Sequence, residues 1–184
     1  MGIRERLRGL LSDEYAAAES GENAAVVVVF DEGRDGLAGL FIRRRSNEGD
    51  PWSGQVAFPG GRAHEGDATL LDTARRELYE EVGLKLDKDV HLLGAMRPVN
   101  PGNIPTMRVT PFIGILAGRA EPRRGDEPLD VFWIPLRELR YRVCSVHSKT
   151  RGVMQVRAFV YDNMVIWGMT ARILRELLNA LEPL

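Results

Sequence analysis

The 184 residues suit one globular domain with an ordinary core better than two, so a site is expected to draw on segments far apart in sequence. Hydrophobic residues make up 44% and charged residues 28%, which fits a folded soluble protein and excludes a disordered or membrane-embedded one. Basic and acidic side chains number 25 and 26, so the broad positive field that favours nucleic-acid partners is missing.

Lys85, Lys88 and Lys149 are the only lysines; the other basic residues are arginines, whose forked donors suit phosphate oxygens as well as surface ion pairs. Cys144 is the single cysteine, which excludes an intramolecular disulfide and a multi-cysteine zinc site. The opening residues lack the apolar core of a signal peptide, and nowhere do about 18 apolar residues run together. A cytoplasmic protein with no membrane partner is expected.

In chain order, Ile3, Leu7, Leu10 and Leu11 fall on one stripe and predict a helix from Ile3 to about Ala18. AAVVVVF, 24 to 30, is a β-branched run of strand length; Gly33, Asp35 and Gly36 supply a turn into a second strand through LAGLFIRR, giving a hairpin. The polar segment 45 to 54 reads as a loop leading to the short strand QVAFP and then two glycines. Leu71, Ala74, Leu78 and Val82 recur at helical steps from about Ala68 to Val82, with Asp67 a candidate N-cap and Gly83 a C-terminal stop. Strands are expected near 91 to 97, 108 to 116, 131 to 134 and 156 to 161, and a final amphipathic helix over about Thr170 to Leu181.

On the middle helix, Glu77, Glu80 and Glu81 are three and four residues apart and can project to one side, away from the apolar stripe. Arg76, four before Glu80, can pair with it. Such a cluster is either a solvated face with one ion pair or a site for a hard divalent cation, which takes carboxylate and carbonyl oxygens and leaves positions for phosphate. FPGG, 58 to 61, lies just upstream, where glycines allow close backbone approach and a carbonyl ligand.

The stretch GGRAHEGDATLLDTARRELYEEVGL, Gly60 to Leu84, resembles the box of the Nudix hydrolase family, with Arg76, Glu77, Leu78, Glu80, Glu81, Gly83 and Leu84 on the motif. The interval from Gly61 to Arg76 is one residue longer than usual, so the motif's upstream glutamate falls on Ala68, and Asp67 or Glu65 is left to supply that carboxylate. RSNEGDPWSGQVAFPGG, 45 to 61, resembles the signature preceding the box in coenzyme A diphosphatases, with Asp50 where a basic residue is usual and Arg43 where a threonine is usual. DEPLDVFWIPL and IWGMTARILRELL resemble later segments of the same subgroup.

The resemblance implies the Nudix fold, an α/β/α sandwich with a curled mixed β-sheet, in a single domain over residues 1–184. It implies metal-dependent hydrolysis of a nucleoside diphosphate linkage, with coenzyme A or its thioesters as first candidate and ADP-ribose, NADH or a non-catalytic nucleotide binder as rivals. Glu77, Glu80, Glu81 and the Gly60 carbonyl become the expected ligands of Mg²⁺ or Mn²⁺, Glu80 or Glu127 the expected base, and Arg76 a residue that orients a glutamate. Arg43 and Arg45, on one face of their strand, are the expected phosphate contacts, and Trp52 is expected to stack on adenine or to cover the pocket. Trp133, Trp167, Met107, Met154 and Met169 read as packing residues. Family members are often dimers, so a homodimer is an open expectation.

Overall fold

The structure is a computed structural model that describes residues 2–18, 22–33, 36–45, 54–148 and 151–181. Its elements are α1 (Ile3–Leu7), β1 (Asn23–Gly33), β2 (Gly36–Arg44), β3 (Val56–Ala57), β4 (Gly60–Arg62), α2 (Leu70–Val82), β5 (Val90–Ala95), β6 (Arg108–Leu116), β7 (Pro128–Pro135), β8 (Arg140–Ser148), β9 (Gly152–Tyr161), β10 (Met164–Ile166) and α3 (Gly168–Leu181). Trp52, Asp50 and most of the expected loop 45 to 54 lie outside the described residues.

A seven-stranded mixed sheet is built around β1, which runs parallel to β6 and antiparallel to β2 and β4. The valines of β1 explain its central place. Ala25, Val27 and Val29 face a core that includes Leu70, Leu71, Ala74, Leu78 and Val82 of α2, whereas Val26, Val28 and Phe30 face a second core with Ile173, Leu174 and Leu177 of α3. Strand alternation thus sends neighbouring side chains into opposite layers, and the continuous apolar run is what a strand covered on both faces requires. The layers are those of the expected α/β/α sandwich. A separate antiparallel sheet, ordered β10-β9-β8, leads into α3.

Helix α2 starts with a reciprocal capping box: Thr69 Oγ1 accepts from the Asp72 N–H, and the Asp72 carboxylate accepts from the Thr69 N–H. Thr69 therefore takes the cap expected of Asp67, which is engaged elsewhere. Gly83 ends the helix at φ 70°, as expected. Beyond it, the Arg123 and Gly125 N–H groups donate to the Val82 and Glu81 carbonyls, both at 2.8 Å, so the loop before β7 satisfies the last turn of α2.

The first helix stops at Leu7, well short of Ala18. Gly9 weakens its continuation, and the chain then pairs extended backbone instead: Ser12 bridges Ala95 and Ala17 bridges Thr69. The hairpin of β8 and β9 is longer than the expected strand at 156 to 161, and β8 was not expected at all. Its residues are largely exposed, so no apolar period marks it.

Candidate active site

The three glutamates of α2 do not share one environment. Glu80 keeps 57% of its side chain exposed and Glu77 only 9%, and Glu81 is buried as a whole residue, at 1%. Of the two readings of the cluster, the solvated face does not hold for Glu77 and Glu81, because β4 packs over them. A Cβ on Gly61 would fall 2.3 Å from Glu77 Oε1, so glycine leaves the space that the carboxylate fills. Gly60, at φ +152°, brings its N–H to 2.7 Å from Glu81 Oε2; a Cβ there would meet the Ala25 carbonyl at 2.2 Å. Gly60 thus offers an N–H contact in addition to the carbonyl expected of it.

Arg76 gathers the carboxylates around it. Its Nε and Nη2 donate to Asp67 Oδ1 and Oδ2 at 3.3 and 3.0 Å, Nη1 donates to Glu77 at 2.7 Å and Glu80 at 3.1 Å, and Nη2 also reaches the Arg62 carbonyl at 3.0 Å. Asp67 is in turn fixed by the His64 N–H and the Thr73 hydroxyl. Of the two carboxylates offered upstream, Asp67 is the one that reaches Arg76.

These contacts separate the acids electrically. Hydrogen bonding from Arg76 holds the Asp67 carboxyl down at about 2, and the same contacts push the guanidinium up. Burial raises Glu77 against the opposing pull of Arg76. Burial likewise pushes Glu81 up to about 8; the Gly60 N–H opposes the shift, and the Glu77 charge adds to it.

Two carboxylates whose burial outweighs the bonds from Arg76 and Gly60 suit a divalent cation, whose charge would offset the cost of ionising them. The donor set, oxygen throughout and beside a glycine backbone, fits a hard ion. Among the described residues no three His, Cys, Asp or Glu side chains already surround one point; Glu77 is turned to Arg76 and Glu81 to Gly60.

Glu77 and Glu80 line a cavity of about 980 Å³ together with Glu127, Arg44, Arg76 and His64. Glu127 is exposed and its Oε1 lies 3.9 Å from Arg44 Nη2. Arg44 lines this cavity; Arg43 and Arg45, the expected phosphate contacts, do not. The reason lies in β2: Leu40 and Ile42 face the α2 core and Phe41 the opposite one, so the alternation carries Arg44 to the glutamate side. A register shift against β7 falls between Arg43 and Arg44.

Trp133 packs against the α2 core as expected. Met169 packs against the α3 core as expected and also lines the cavity; Trp167 and Met154 are corrected, each half-buried and lining the cavity. Met107 is buried in the core and also reaches the cavity. No alternation in the sequence marks this wall, because apolar Val153 is 73% exposed while its neighbour Met154 is half-buried. His91, His147 and Cys144 stand apart from it.

The profile of the NUDIX domain family matches residues 21–151. "Uncharacterized Nudix hydrolase NudL" of Yersinia pestis is 37% identical over 145 residues, covering 75% of this chain and 70% of that protein, and its Yersinia pseudotuberculosis counterpart matches equally. Among solved structures, a MutT/nudix family protein from Enterococcus faecalis superimposes with TM-score 0.57 at 19% identity, covering 92% of this chain and 65% of that one. The C. elegans Ap4A hydrolase binary complex gives 0.51 at 16%, covering 62% and 80%. These structures speak for the fold alone. The family match and the identity to NudL place this chain in the Nudix hydrolase family.

Proposed function

We propose that this chain, acting as one domain, hydrolyses the diphosphate linkage of coenzyme A or its thioesters to 3′,5′-ADP and a phosphopantetheine product. The observation that supports the reading is the pair of buried acids, Glu77 and Glu81, closed against the Gly60–Gly61 backbone, with Glu77 lining a cavity together with Glu80 and Glu127. The segment before the box, Phe58 to Gly61 above all, favours coenzyme A among nucleoside diphosphate derivatives by its resemblance to the subgroup signature.

Glu77, Glu80, Glu81 and the Gly60 carbonyl would hold Mg²⁺ or Mn²⁺. When bound, such a cation neutralises charge on the diphosphate and makes water more acidic. The oxygen of water joins one phosphorus, the bridging P–O bond breaks, and its electrons leave with the departing phosphate. Glu80 or Glu127 accepts the proton of the attacking water. Arg76 orients Glu77 and Glu80, and Arg44, rather than Arg43 or Arg45, is placed to meet a phosphate oxygen in the cavity.

The test is chromatographic product analysis after incubation with Mg²⁺ or Mn²⁺ and, separately, coenzyme A, ADP-ribose, NADH and dinucleoside polyphosphates. Preferential release of 3′,5′-ADP from coenzyme A is expected. Faster cleavage of ADP-ribose or NADH moves the substrate assignment while keeping the chemistry; nucleotide binding with no cleavage of any diphosphate overturns the catalytic reading.

A further inference from the structure

The cavity carries opposite charge on its two sides. Among the described residues the acids that line it are Glu77, Glu80 and Glu127, and each meets an arginine: Glu77 and Glu80 meet Arg76, and Glu127 meets Arg44. Arg151, Arg157 and Arg172 line the same space, and none of them pairs with an acid among the described residues. They belong to the β8–β9 hairpin and to α3. Phe159 of β9 and the buried face of α3 share the core opposite α2, so these cations reach the cavity from the other side of the main sheet.

Two of these guanidiniums are oriented by backbone. Arg151 Nη2 donates to the Gly102 carbonyl at 3.3 Å, and Arg172 Nη2 donates to the Asn100 carbonyl. The two carbonyls are two residues apart, a span of at most about 7 Å, so both side chains converge on one short segment. The Asn100 side chain donates to the Pro105 and Met107 carbonyls at 2.9 and 2.8 Å, which fixes that segment in turn. A carbonyl orients a guanidinium without cancelling its charge, and it takes up only one donor of the fork, leaving others for an anion. Arginines gathered in one cavity without a counter-charge repel one another. Gly168, Met169 and Thr170, in the first turn of α3, line the space as well, and the positive end of the helix adds to that field.

We infer that Arg151, Arg157 and Arg172 form an anion subsite that takes a second anionic group on the substrate, a phosphate monoester or a carboxylate, apart from the diphosphate that is cleaved. This rests on the reading of the acidic side as the diphosphate site, and not on coenzyme A as the substrate. The arginines then select, among nucleoside diphosphate derivatives, those with a further charge. Guanidinium forks match phosphate and carboxylate oxygens, and a cleft lined by one sign of charge concentrates the opposite one. At about 980 Å³ the cavity has room for both groups. A neutral sugar or an uncharged arm leaves the three cations without a counter-charge, and that loss is what discriminates against it.

The experiment uses the full chain with Mg²⁺ and three matched pairs: coenzyme A with 3′-dephospho-coenzyme A, ADP-ribose 2′-phosphate with ADP-ribose, and glutaryl-coenzyme A with pentanoyl-coenzyme A. Wild type is compared with Arg151→Gln, Arg157→Gln and Arg172→Gln, since glutamine can still donate to a backbone carbonyl but carries no charge. In wild type, kcat/KM for the charged member should exceed that for its partner by about tenfold or more in at least one pair. Preference within the first two pairs puts the anion on the nucleoside, and preference within the third puts it on the other arm; either supports the inference. At least one variant should cut that ratio by about threefold or more. Loss of a structural tie alone would not, because both members of a pair need the fold equally. Ratios near one in all three wild-type pairs overturn the inference, as does a ratio unchanged in every variant at wild-type melting temperature. A variant that fails to fold is set aside, and the others decide. If no substrate is cleaved, the proposed function fails, and calorimetric titration with the same pairs decides the inference separately: tighter binding of the charged member, weakened in the variants, supports it, and equal or absent binding overturns it.

Discussion

Asp67 and Arg76 form a two-pronged pair, with Oδ1 to Nε at 3.3 Å and Oδ2 to Nη2 at 3.0 Å. The pair joins the loop after β4 to the middle of α2 and fixes the guanidinium that meets Glu77 and Glu80. Asp67→Asn keeps the shape but gives up the charge and one acceptor. A loss of about 1–3 kcal/mol in urea unfolding is expected, together with a fall in kcat at similar KM, because Arg76 then holds its glutamates less firmly. Unchanged kcat would remove Asp67 from the positioning of the site.

Glu80 is the exposed member of the cluster, so its neutral replacement should separate chemistry from folding. Glu80→Gln is expected to lower metal-dependent turnover by about 100-fold or more while the melting temperature stays near wild type, since an exposed ion pair contributes little. Near-normal turnover would leave Glu127 as the candidate base.

Glu81 should make the stability of the metal-free protein depend on pH. Burial raises its carboxyl from 4.5 to about 8, so the folded form holds the proton more tightly than the unfolded form. The corresponding stability is fully present below about 4.5 and is lost as pH rises through about 8, a change on the order of a few kcal/mol. The melting temperature without metal should fall across that window more steeply in wild type than in Glu81→Gln. Adding Mg²⁺ or Mn²⁺ at the alkaline end should restore it and, below the raised value, release protons, seen by calorimetry in buffers of different ionisation enthalpy. Equal pH slopes for wild type and variant would contradict the assignment.

Gly61 tests the fit between β4 and α2. In Gly61→Ala the new methyl meets Glu77 Oε1 at 2.3 Å, and the carboxylate must turn away from its place beside Arg76. Turnover should fall sharply, with a stability loss of about 1–3 kcal/mol from overpacking. Wild-type turnover in the alanine variant would show that the carboxylate has room to move.

Where local chemistry dominates, the chain can be read directly. The β-branched run of β1, the bounds of β6 at Arg108–Leu116 and the stop of α2 at Gly83 follow from side-chain type and spacing. The identity of the cluster was equally legible in Arg76, Glu77, Glu80 and Glu81. Its burial was not, because Glu77 and Glu81 are covered by glycines of a strand whose approach depends on sheet pairing. The same dependence on long-range packing hid the early end of α1, which gives way to a bridge between Ser12 and Ala95, and placed Arg44 at the cavity in preference to its two neighbours. Trp167, Met154 and Met169 carry the composition of a core, and only the folded chain shows that they line an open space.

The two backbone bonds from Arg123 and Gly125 to the end of α2 divide the loop before β7 into parts of unequal freedom. A Cβ on Gly125 would lie 1.9 Å from the Glu80 carbonyl oxygen, so the chain is clamped there, two residues before Glu127. Residues 117 to 122 can accept an insertion without changing the span from that clamp to Glu127, whereas an added residue between Gly125 and Glu127 shifts the acid along the chain relative to α2. Length variation in this loop should therefore be tolerated upstream of the clamp and resisted after it.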